Sequence, residues 1–396
     1  MSLNNVPSSE RIHIGIFGNR NAGKSSLINA ITSQNIAIVS DVLGTTTDPV
    51  FKSMELLPLG PVVIIDTPGL DDEGELGKMR VSKALSVLDK TDIAVLVADA
   101  KTGLTDNDKT IIKSFKDKNI AHITVYNKSD LLDEEPADEN ALYISAKTGK
   151  NIDKLKNVLS SLKPDKEEEK RLIGDLIKKD DIIVLVTPID ESAPKGRLIL
   201  PQQQAIRDIL DSGAISVVTR EHELTSTLKS LSKKPALCIT DSQAFKIVDS
   251  LVPDDIPLTS FSILFARKKG DLKSLTNGAK ALESLKDGDK VLISEGCTHH
   301  RQCGDIGTIK LPNWILKYTK KELSFEFTSG GEFPENLEEY SLIVHCGGCM
   351  LTERTVKSRM EKANEAGVPM TNYGTVIAHV NGILDRSIKL FEDEIE

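Results

Sequence analysis

Gly18-Asn19-Arg20-Asn21-Ala22-Gly23-Lys24-Ser25 is the most informative stretch of this chain. It fits the pattern G-x-x-x-x-G-K-[ST], follows the β-branched run RIHIGIF and precedes the helical pattern SSLINAIT. Glycines let successive backbone N–H groups face a phosphate, and the N-terminus of the following helix adds partial positive charge at the same place. The stretch therefore predicts a phosphate-binding loop between a strand and a helix.

The side chains of this loop have separate expected roles. We expect the Lys24 ammonium to reach the β- and γ-phosphates of a nucleotide, and the Ser25 hydroxyl to bind Mg²⁺. The other loop residues expected at the nucleotide are Asn19, Asn21, Ala22, Gly23 and Ser26.

Two further motifs follow strand-like runs in the order that a guanine-nucleotide enzyme needs. Asp66-Thr-Pro-Gly69 closes the run VVIID, so Asp66 can hold Mg²⁺ through water and the Gly69 N–H can contact the γ-phosphate. Asn127-Lys128-Ser-Asp130 closes ITVYN, and the Asp130 carboxylate can accept both N1–H and the exocyclic amine of guanine. Adenine offers neither donor on that edge, so GTP and GDP are the predicted ligands.

The base pocket is completed by Ser145-Ala146-Lys147, which follows the run ALYIS. Strand-like runs at 11–17, 62–66, 93–98, 123–127 and 141–145 alternate with helical stretches, which predicts a doubly wound parallel sheet covered on both faces. We place this GTPase domain at residues 1–165.

The rest of the chain predicts two more α/β domains. The charged stretch 163–179 is typical of a linker or a solvated helix. We expect a middle domain at 175–268, which carries no nucleotide fingerprint, and a C-terminal domain at 269–396.

Composition excludes some classes of function. The net charge of −9 and the aromatic content of 4% disfavour nucleic-acid binding, although Arg267, Lys268 and Lys269 form a local basic run. No apolar run approaches the ~20 residues that span a bilayer, and the first residues lack an apolar leader, so we expect a cytoplasmic protein without a membrane partner.

Four of the five cysteines lie in the last quarter of the chain, which favours a metal or redox site. Cys297-Thr-His299 and Cys346-Gly-Gly-Cys349 each follow a strand-like run. If those strands are neighbours in a parallel sheet, the two motifs meet at one edge. Three thiolates suit a Cys₃His zinc site or an iron–sulfur cluster. The fourth ligand stays open between His299, Cys303, Asp305, His345 and an exogenous group, whereas Cys238, inside PALCIT, is expected to be a buried structural thiol.

The N-terminal motifs resemble the translation-factor-related GTPases, within them the branch of tRNA-modifying and ribosome-assembly enzymes. The segment Gly44-Thr-Thr-Thr-Asp48 resembles their switch region GTTRD, with Thr47 in place of its arginine. The resemblance implies that Thr46 binds Mg²⁺, that Asn21 lies beside a K⁺ ion, and that Lys24, Thr46 and Gly69 serve hydrolysis.

The whole chain resembles the HydF family, the scaffold GTPases of [FeFe]-hydrogenase maturation, through TPIDESAPKGRLILPQQQAIRDILD, CTHHRQCGDIG and HCGGCM. The resemblance implies a homodimer formed through the middle domain and a [4Fe–4S] cluster on Cys297, Cys346 and Cys349. It also implies a diiron precursor as cargo, received from radical-SAM maturation enzymes and passed to apo-[FeFe]-hydrogenase. The alternative is a tRNA-modification or ribosome-assembly GTPase with a structural zinc site.

Overall fold

The computed structural model describes residues 6–32, 49–69, 83–134, 136, 141–163, 170–188, 198–296 and 305–395. The chain divides into two compact units, Met1–Lys166 and Glu167–Glu396. Among the predicted site residues, Thr46, Cys297, His299 and Cys303 lie outside the described residues.

The first unit contains a six-stranded sheet of order β2-β3-β1-β4-β5-β6. All neighbouring strands are parallel except β2, which runs antiparallel to β3 at the edge. The expected wholly parallel sheet is therefore wrong at this edge, because the largely exposed β2 has no continuous apolar run that would indicate a strand. The strands are β1 Ile12–Phe17, β2 Val50–Leu56, β3 Gly60–Asp66, β4 Ile93–Asp99, β5 Ala121–Asn127 and β6 Leu142–Tyr143.

Helices cover both faces of this sheet, as the sequence predicts for a doubly wound domain. Leu27 and Leu155 lie in the core of one face, and Phe115 packs with Phe17 in the core of the other. Apart from a helical segment at 83–88, the helices described in this unit are α1 Lys24–Thr32, α2 Asp106–Asp117 and α3 Ile152–Ser161.

The second unit contains two four-stranded parallel sheets, of order β10-β9-β7-β8 and β12-β11-β13-β14. The strands are β7 Ile182–Val186, β8 Ile215–Thr219, β9 Leu237–Thr240, β10 Leu258–Ser260, β11 Lys290–Glu295, β12 Ser324–Ser329, β13 Leu342–His345 and β14 Met370–Asn372. The helices described are α4 Leu200–Asp211, α5 Leu224–Ser230, α6 Phe245–Leu251, α7 Phe261–Lys269, α8 Leu272–Lys280, α9 Leu311–Thr319, α10 Glu353–Glu365, α11 Tyr373–Val380, α12 Leu384–Ile388 and α13 Glu392–Ile395.

One hydrophobic core joins the two sheets of this unit. Leu185 of β7, Leu264 of α7 and Ile343 of β13 belong to the same buried cluster. Leu172 and Ile173 are buried in that cluster too. The expectation of a solvated segment at 163–179 is therefore wrong in its second half, since the apolar residues among the charges enter the core.

The strands that precede the two cysteine motifs are neighbours. β11 pairs in parallel with β13, and Ser294 lies opposite His345. The condition set by the sequence is met: Gly296 and Cys346 both follow strand ends at the same edge of one sheet, while Cys297 and His299 lie outside the described residues.

Within the described residues, the structure contains no helix long and apolar enough to cross a bilayer.

Candidate functional site

Two glycines give the phosphate-binding loop its shape. Gly18 has a φ of +143° and Gly23 a φ of +92°, both in the region that favours glycine. A Cβ atom at Gly18 would overlap the Val97 carbonyl, and one at Gly23 would overlap the Asn127 side-chain amide. Larger residues at these positions would force the loop away from its neighbours.

Lys24 is the first residue of α1 and its side chain is buried against the loop. Its Nζ atom donates to the Gly18 carbonyl at 2.8 Å and to the Asn19 carbonyl at 2.9 Å. The ammonium is therefore held where a bound phosphate could replace carbonyl oxygens as its acceptors.

Ser25 and Asp66 meet beside this loop. Ile16 of β1 lies opposite Asp66 of β3, and the Ser25 hydroxyl donates to the Asp66 carboxylate at 3.4 Å. Burial raises the pKa of Asp66, against the opposing effects of Lys24 and the Ser25 hydrogen bond. A hydroxyl next to a carboxylate is the oxygen-donor set that Mg²⁺ prefers.

Asn127 connects the predicted base pocket to the loop. Its Nδ2 donates to the Ala22 carbonyl at 3.0 Å, and its Oδ1 accepts from the Ala146 N–H at 3.0 Å. One buried side chain thus holds together three segments that the sequence assigned to a single nucleotide site.

The other base-pocket residues lie around this connection. The Ser145 hydroxyl donates to Asp130 at 2.6 Å, and Lys128, with a φ of +64°, forms an ion pair with Asp99 at 2.7 Å. Lys147 is exposed. Asp99 was not among the predicted residues, because only the pairing of β4 with β5 in the folded sheet brings it to Lys128.

The remaining predicted loop residues have distinct environments. Asn21 is exposed and has a φ of +60°. A Cβ atom at Gly69 would lie 3.2 Å from the Arg20 backbone, so Gly69 closely approaches the loop. Ser26 lies in the first turn of α1 and is partly buried.

Sequence reasoning missed a polar contact behind the loop. Asn19 Nδ2 donates to Thr105 Oγ1 at 2.8 Å and to Asp108 Oδ2 at 3.1 Å. Thr105 and Asp108 form the capping box of α2, and the pattern T-x-x-D was available as a local signal. Its connection to Asn19 was not, since Asp108 lies 89 positions away.

Cys346 lies directly after β13 with its sulfur facing backbone donors. Its Sγ accepts from the Gly296 N–H at 3.0 Å and from the Gly348 N–H at 3.4 Å. Gly348 has a φ of +64°, which turns the backbone back towards Cys346. Burial raises the pKa of Cys346 and raises that of Cys349 to about 11, so thiolates at these positions need a nearby positive charge.

His345 is buried beside Cys346 and both of its ring nitrogens have partners. Arg359 Nη1 donates to Nε2 at 2.9 Å, so Nδ1 carries the proton and donates to the Cys346 carbonyl at 2.7 Å. Burial and the Arg359 charge lower the pKa of His345 to about 3. In this arrangement His345 orients the loop and has no nitrogen left for a metal.

Asp305, a possible fourth ligand, and Cys238, the expected structural thiol, are the remaining predicted residues of the second unit that the structure describes. Asp305 caps the following helical turn and accepts from the Thr308 N–H and hydroxyl, each at 3.0 Å. Cys238 lies in β9, fully buried, and burial raises its pKa to about 12, as expected for a structural thiol. Within the part of the chain that the structure describes, no three His, Cys, Asp or Glu side chains are grouped closely enough to hold a metal ion.

The fold and the loop geometry define the first unit as a P-loop GTPase domain, and residues 13–128 match the family model described as a 50S ribosome-binding GTPase. Residues 172–270 match the hydrogen maturase F dimerization domain, and residues 273–390 match the hydrogen maturase F tetramerization domain. These two models together span more than half of the chain. The chain belongs to the hydrogen maturase F family.

Other similarities concern a smaller part of the chain. The tRNA modification GTPase MnmE of Dechloromonas aromatica is 32% identical over 154 residues, which are 37% of this chain and 34% of that protein. GTPase Der of Kosmotoga olearia is 35% identical over 131 residues, 32% of this chain and 29% of that protein. The chain thus spans about a third of the length of these curated relatives. A crystal structure of Aquifex aeolicus Era bound to GDP.AlF4- is 20% identical, has a TM-score of 0.35 and covers 56% of this chain and 98% of that one.

Proposed function

We propose that this protein is a GTP-hydrolysing scaffold that binds a [4Fe–4S] cluster, assembles the diiron precursor of [FeFe]-hydrogenase and delivers it to the apo-enzyme. The observation that carries the proposal is the presence of a GTPase domain and both hydrogen maturase F domains on one chain. Radical-SAM maturation enzymes are the proposed donors of the precursor.

GTP is the proposed substrate of the first unit. The Lys24 ammonium would exchange its loop carbonyls for the β- and γ-phosphates, and Ser25 and Asp66 would hold Mg²⁺. Gly69 is close enough to the loop for its N–H to contact the γ-phosphate, while Thr46 would add an Mg²⁺ ligand. Mg²⁺ would neutralise charge on the transferred phosphoryl group.

Guanine recognition and K⁺ binding are assigned to separate residues. The Asp130 carboxylate would bind the guanine edge, with Lys128, Ser145, Ala146 and Lys147 around the base. Asn127 links the Ala22 carbonyl to the Ala146 N–H and so fixes the position of the base pocket relative to the phosphate loop. The exposed Asn21 side chain would lie beside K⁺.

The second unit fits an iron–sulfur cluster by the chemistry of its donors. Cys346 already accepts two backbone N–H groups, and such hydrogen bonds stabilise the negative charge of a cluster-bound thiolate. Cys349 lies in the same glycine-containing loop, and Cys297 directly follows Gly296 in the sequence. These three thiols would hold the cluster, with an exchangeable fourth ligand that is His299, Cys303, Asp305 or an exogenous group. The cluster would supply an iron site for cargo attachment.

A homodimer through the middle domain is the proposed assembly. β8 is the outer strand of its sheet, and Ile215 and Val218 on that strand are 49% and 45% exposed. An apolar edge strand is a template for pairing with a second copy, which a two-fold axis would close into a dimer. The match of residues 172–270 to a dimerization domain supports this choice.

The delivery step can be tested with purified components. The chain is loaded anaerobically with cluster and diiron precursor, mixed with apo-[FeFe]-hydrogenase, and hydrogen evolution is measured. We expect activity with the wild type and its loss with Cys346→Ser, while GTP hydrolysis persists in that variant. Hydrogen evolution that is equal with Cys346→Ser would refute the carrier role.

The GTPase domain's likeness to tRNA-modification GTPases supports the second candidate, a nucleic-acid-linked GTPase with structural zinc. The net charge of −9 opposes it, because RNA binding depends on a positive surface. Salt-sensitive RNA copurification together with stoichiometric zinc would favour this candidate.

A further inference from the structure

We propose that Lys269 is a positioning residue of the cysteine site, whose buried ammonium fixes the loop carrying Cys346 and Cys349 to the end of α7. The inference rests on the proposed function for its consequences at the cluster. Its structural part stands on the contacts of the loop itself.

The ammonium of Lys269 donates hydrogen bonds to three carbonyl groups of the loop. Nζ donates to the Gly348 carbonyl at 3.0 Å, to the Cys349 carbonyl at 3.1 Å and to the Leu351 carbonyl at 2.7 Å. A lysine ammonium has three N–H donors and no acceptor, so it can donate to all three of these carbonyls. The side chain is only 4% exposed, so water cannot readily replace it.

The loop needs such a cation to keep its shape. Gly348, with its φ of +64°, curls the backbone so that three carbonyl oxygens point to one buried place. Without a donor between them these oxygens would be desolvated and would repel one another. The centroid of the Phe265 ring lies 5.3 Å from Nζ, and this cation–π contact further stabilises the buried charge.

The helix turn that carries Lys269 is itself held in place. Two residues earlier on α7, Arg267 donates to Asp175 at 3.1 Å and to Glu394 at 2.7 Å. The last turn of α7 is thus fixed to the segment that begins the second unit. Lys269 therefore attaches a loop of the 273–390 domain to a helix of the 172–270 domain.

The charge of Lys269 also has an electrostatic consequence. It lies against the backbone of Cys349, inside a site of low dielectric constant, where a positive charge favours thiolates and the more negative state of a bound cluster. Removing the charge should lower the reduction potential of the cluster and weaken iron retention. Residues that support metal ligands in this way typically change metal affinity about 10–100-fold.

The test compares full-length Lys269→Met, Lys269→Arg and the matched control Lys268→Met. Lys268 lies on the same helical turn, and its replacement by Met removes the same charge. Among the described residues Lys268 makes no hydrogen bond to the loop. After anaerobic reconstitution, the rate of iron loss to a chelator and the midpoint potential are measured. We expect Lys269→Met to lose iron about 10-fold faster or more and to have a lower potential. Lys269→Arg should keep the potential, and Lys268→Met should behave as wild type.

A second readout does not need the cluster. Amide hydrogen exchange over residues 346–351 of the metal-free chain should be about 10-fold faster or more in Lys269→Met, with unchanged oligomeric mass. If Lys269→Met does not fold, the same measurements are made on Lys269→Gln, which retains two N–H donors without the charge.

The possible failures are distinguishable. A wild-type chain that takes up no cluster overturns the proposed function, while exchange of residues 346–351 still decides whether Lys269 holds the loop. A wild-type chain that binds the cluster, with iron loss, potential and exchange all unchanged in Lys269→Met, overturns the role of Lys269 alone.

Discussion

The backbone N–H of Gly296 donates to the Sγ atom of Cys346 at 3.0 Å, joining the ends of two neighbouring parallel strands. This contact places one predicted cysteine ligand beside the residue that precedes another. The C-x-x-C motif therefore begins beside the strand end from which the chain leads into Cys297-Thr-His299.

Asn127→Ala should weaken nucleotide binding about 10–100-fold. The substitution leaves the Ala22 carbonyl and the Ala146 N–H without their shared partner, and each lost hydrogen bond costs about 1 kcal/mol. Fluorescent GDP titration measures the effect. Asn157→Ala, at an exposed amide on α3, is the control and should bind as wild type. Equal affinities of the two variants would contradict the connecting role of Asn127.

Asp130→Asn should change base specificity. Guanine would lose the acceptor for its two N–H groups, and we expect GTP affinity to fall about 100-fold or more. Xanthine carries a carbonyl in place of the exocyclic amine, so the new amide can donate to it. Competition binding with GTP and XTP measures the preference. A variant that still prefers GTP would place guanine recognition elsewhere.

Asp108→Ala should destabilise the GTPase unit by about 2 kcal/mol or more. Asp108 Oδ2 accepts from the Thr105 N–H, the Thr105 hydroxyl and Asn19, and its loss removes a helix cap and the support of the loop. Urea unfolding gives the change in free energy. Asp106→Ala, an exposed carboxylate on the same turn, is the control and should have a much smaller effect. Comparable losses in both variants would argue against the buried contact.

His13 should make the stability of the first unit depend on pH. Burial lowers the pKa of His13 below its usual 6.5, against the opposing effect of Asp92. The unfolded chain therefore takes up a proton near pH 6.5 that the folded state resists, and the free energy of unfolding falls as the pH drops below that value. His13→Gln should show a weaker fall than the wild type between pH 7.5 and about pH 5 in urea titrations of unfolding. Identical pH profiles for wild type and His13→Gln would exclude this cause.

The sequence indicated that the loop, Asp66 and Asn127 would lie together, because each motif follows a strand and parallel strands bring their ends to one edge. Their roles towards a nucleotide stay predictions. It did not predict β2, whose residues are mostly exposed, or the contact of Asn19 with Asp108, which depends on tertiary packing.

The basic run Arg267-Lys268-Lys269 could not be interpreted from the sequence alone. As sequence it was the one local exception to the acidic balance that disfavours nucleic acid, and the structure shows that Arg267 and Lys269 are buried. Inside the protein, Arg267 donates to two carboxylates and Lys269 donates to three backbone carbonyls. Composition alone cannot separate such internal cations from surface ones, because both occur beside apolar residues at the end of a helix.

Cys297, Cys346 and Cys349 are proposed to hold an iron–sulfur cluster. Iron, zinc and acid-labile sulfide analysis of the anaerobically reconstituted chain tests it most directly, with Cys238→Ala as a control at the buried structural thiol. We expect about four iron and four sulfide per chain in the wild type and in Cys238→Ala, and loss of both in Cys346→Ser. About one zinc per chain without sulfide would contradict it.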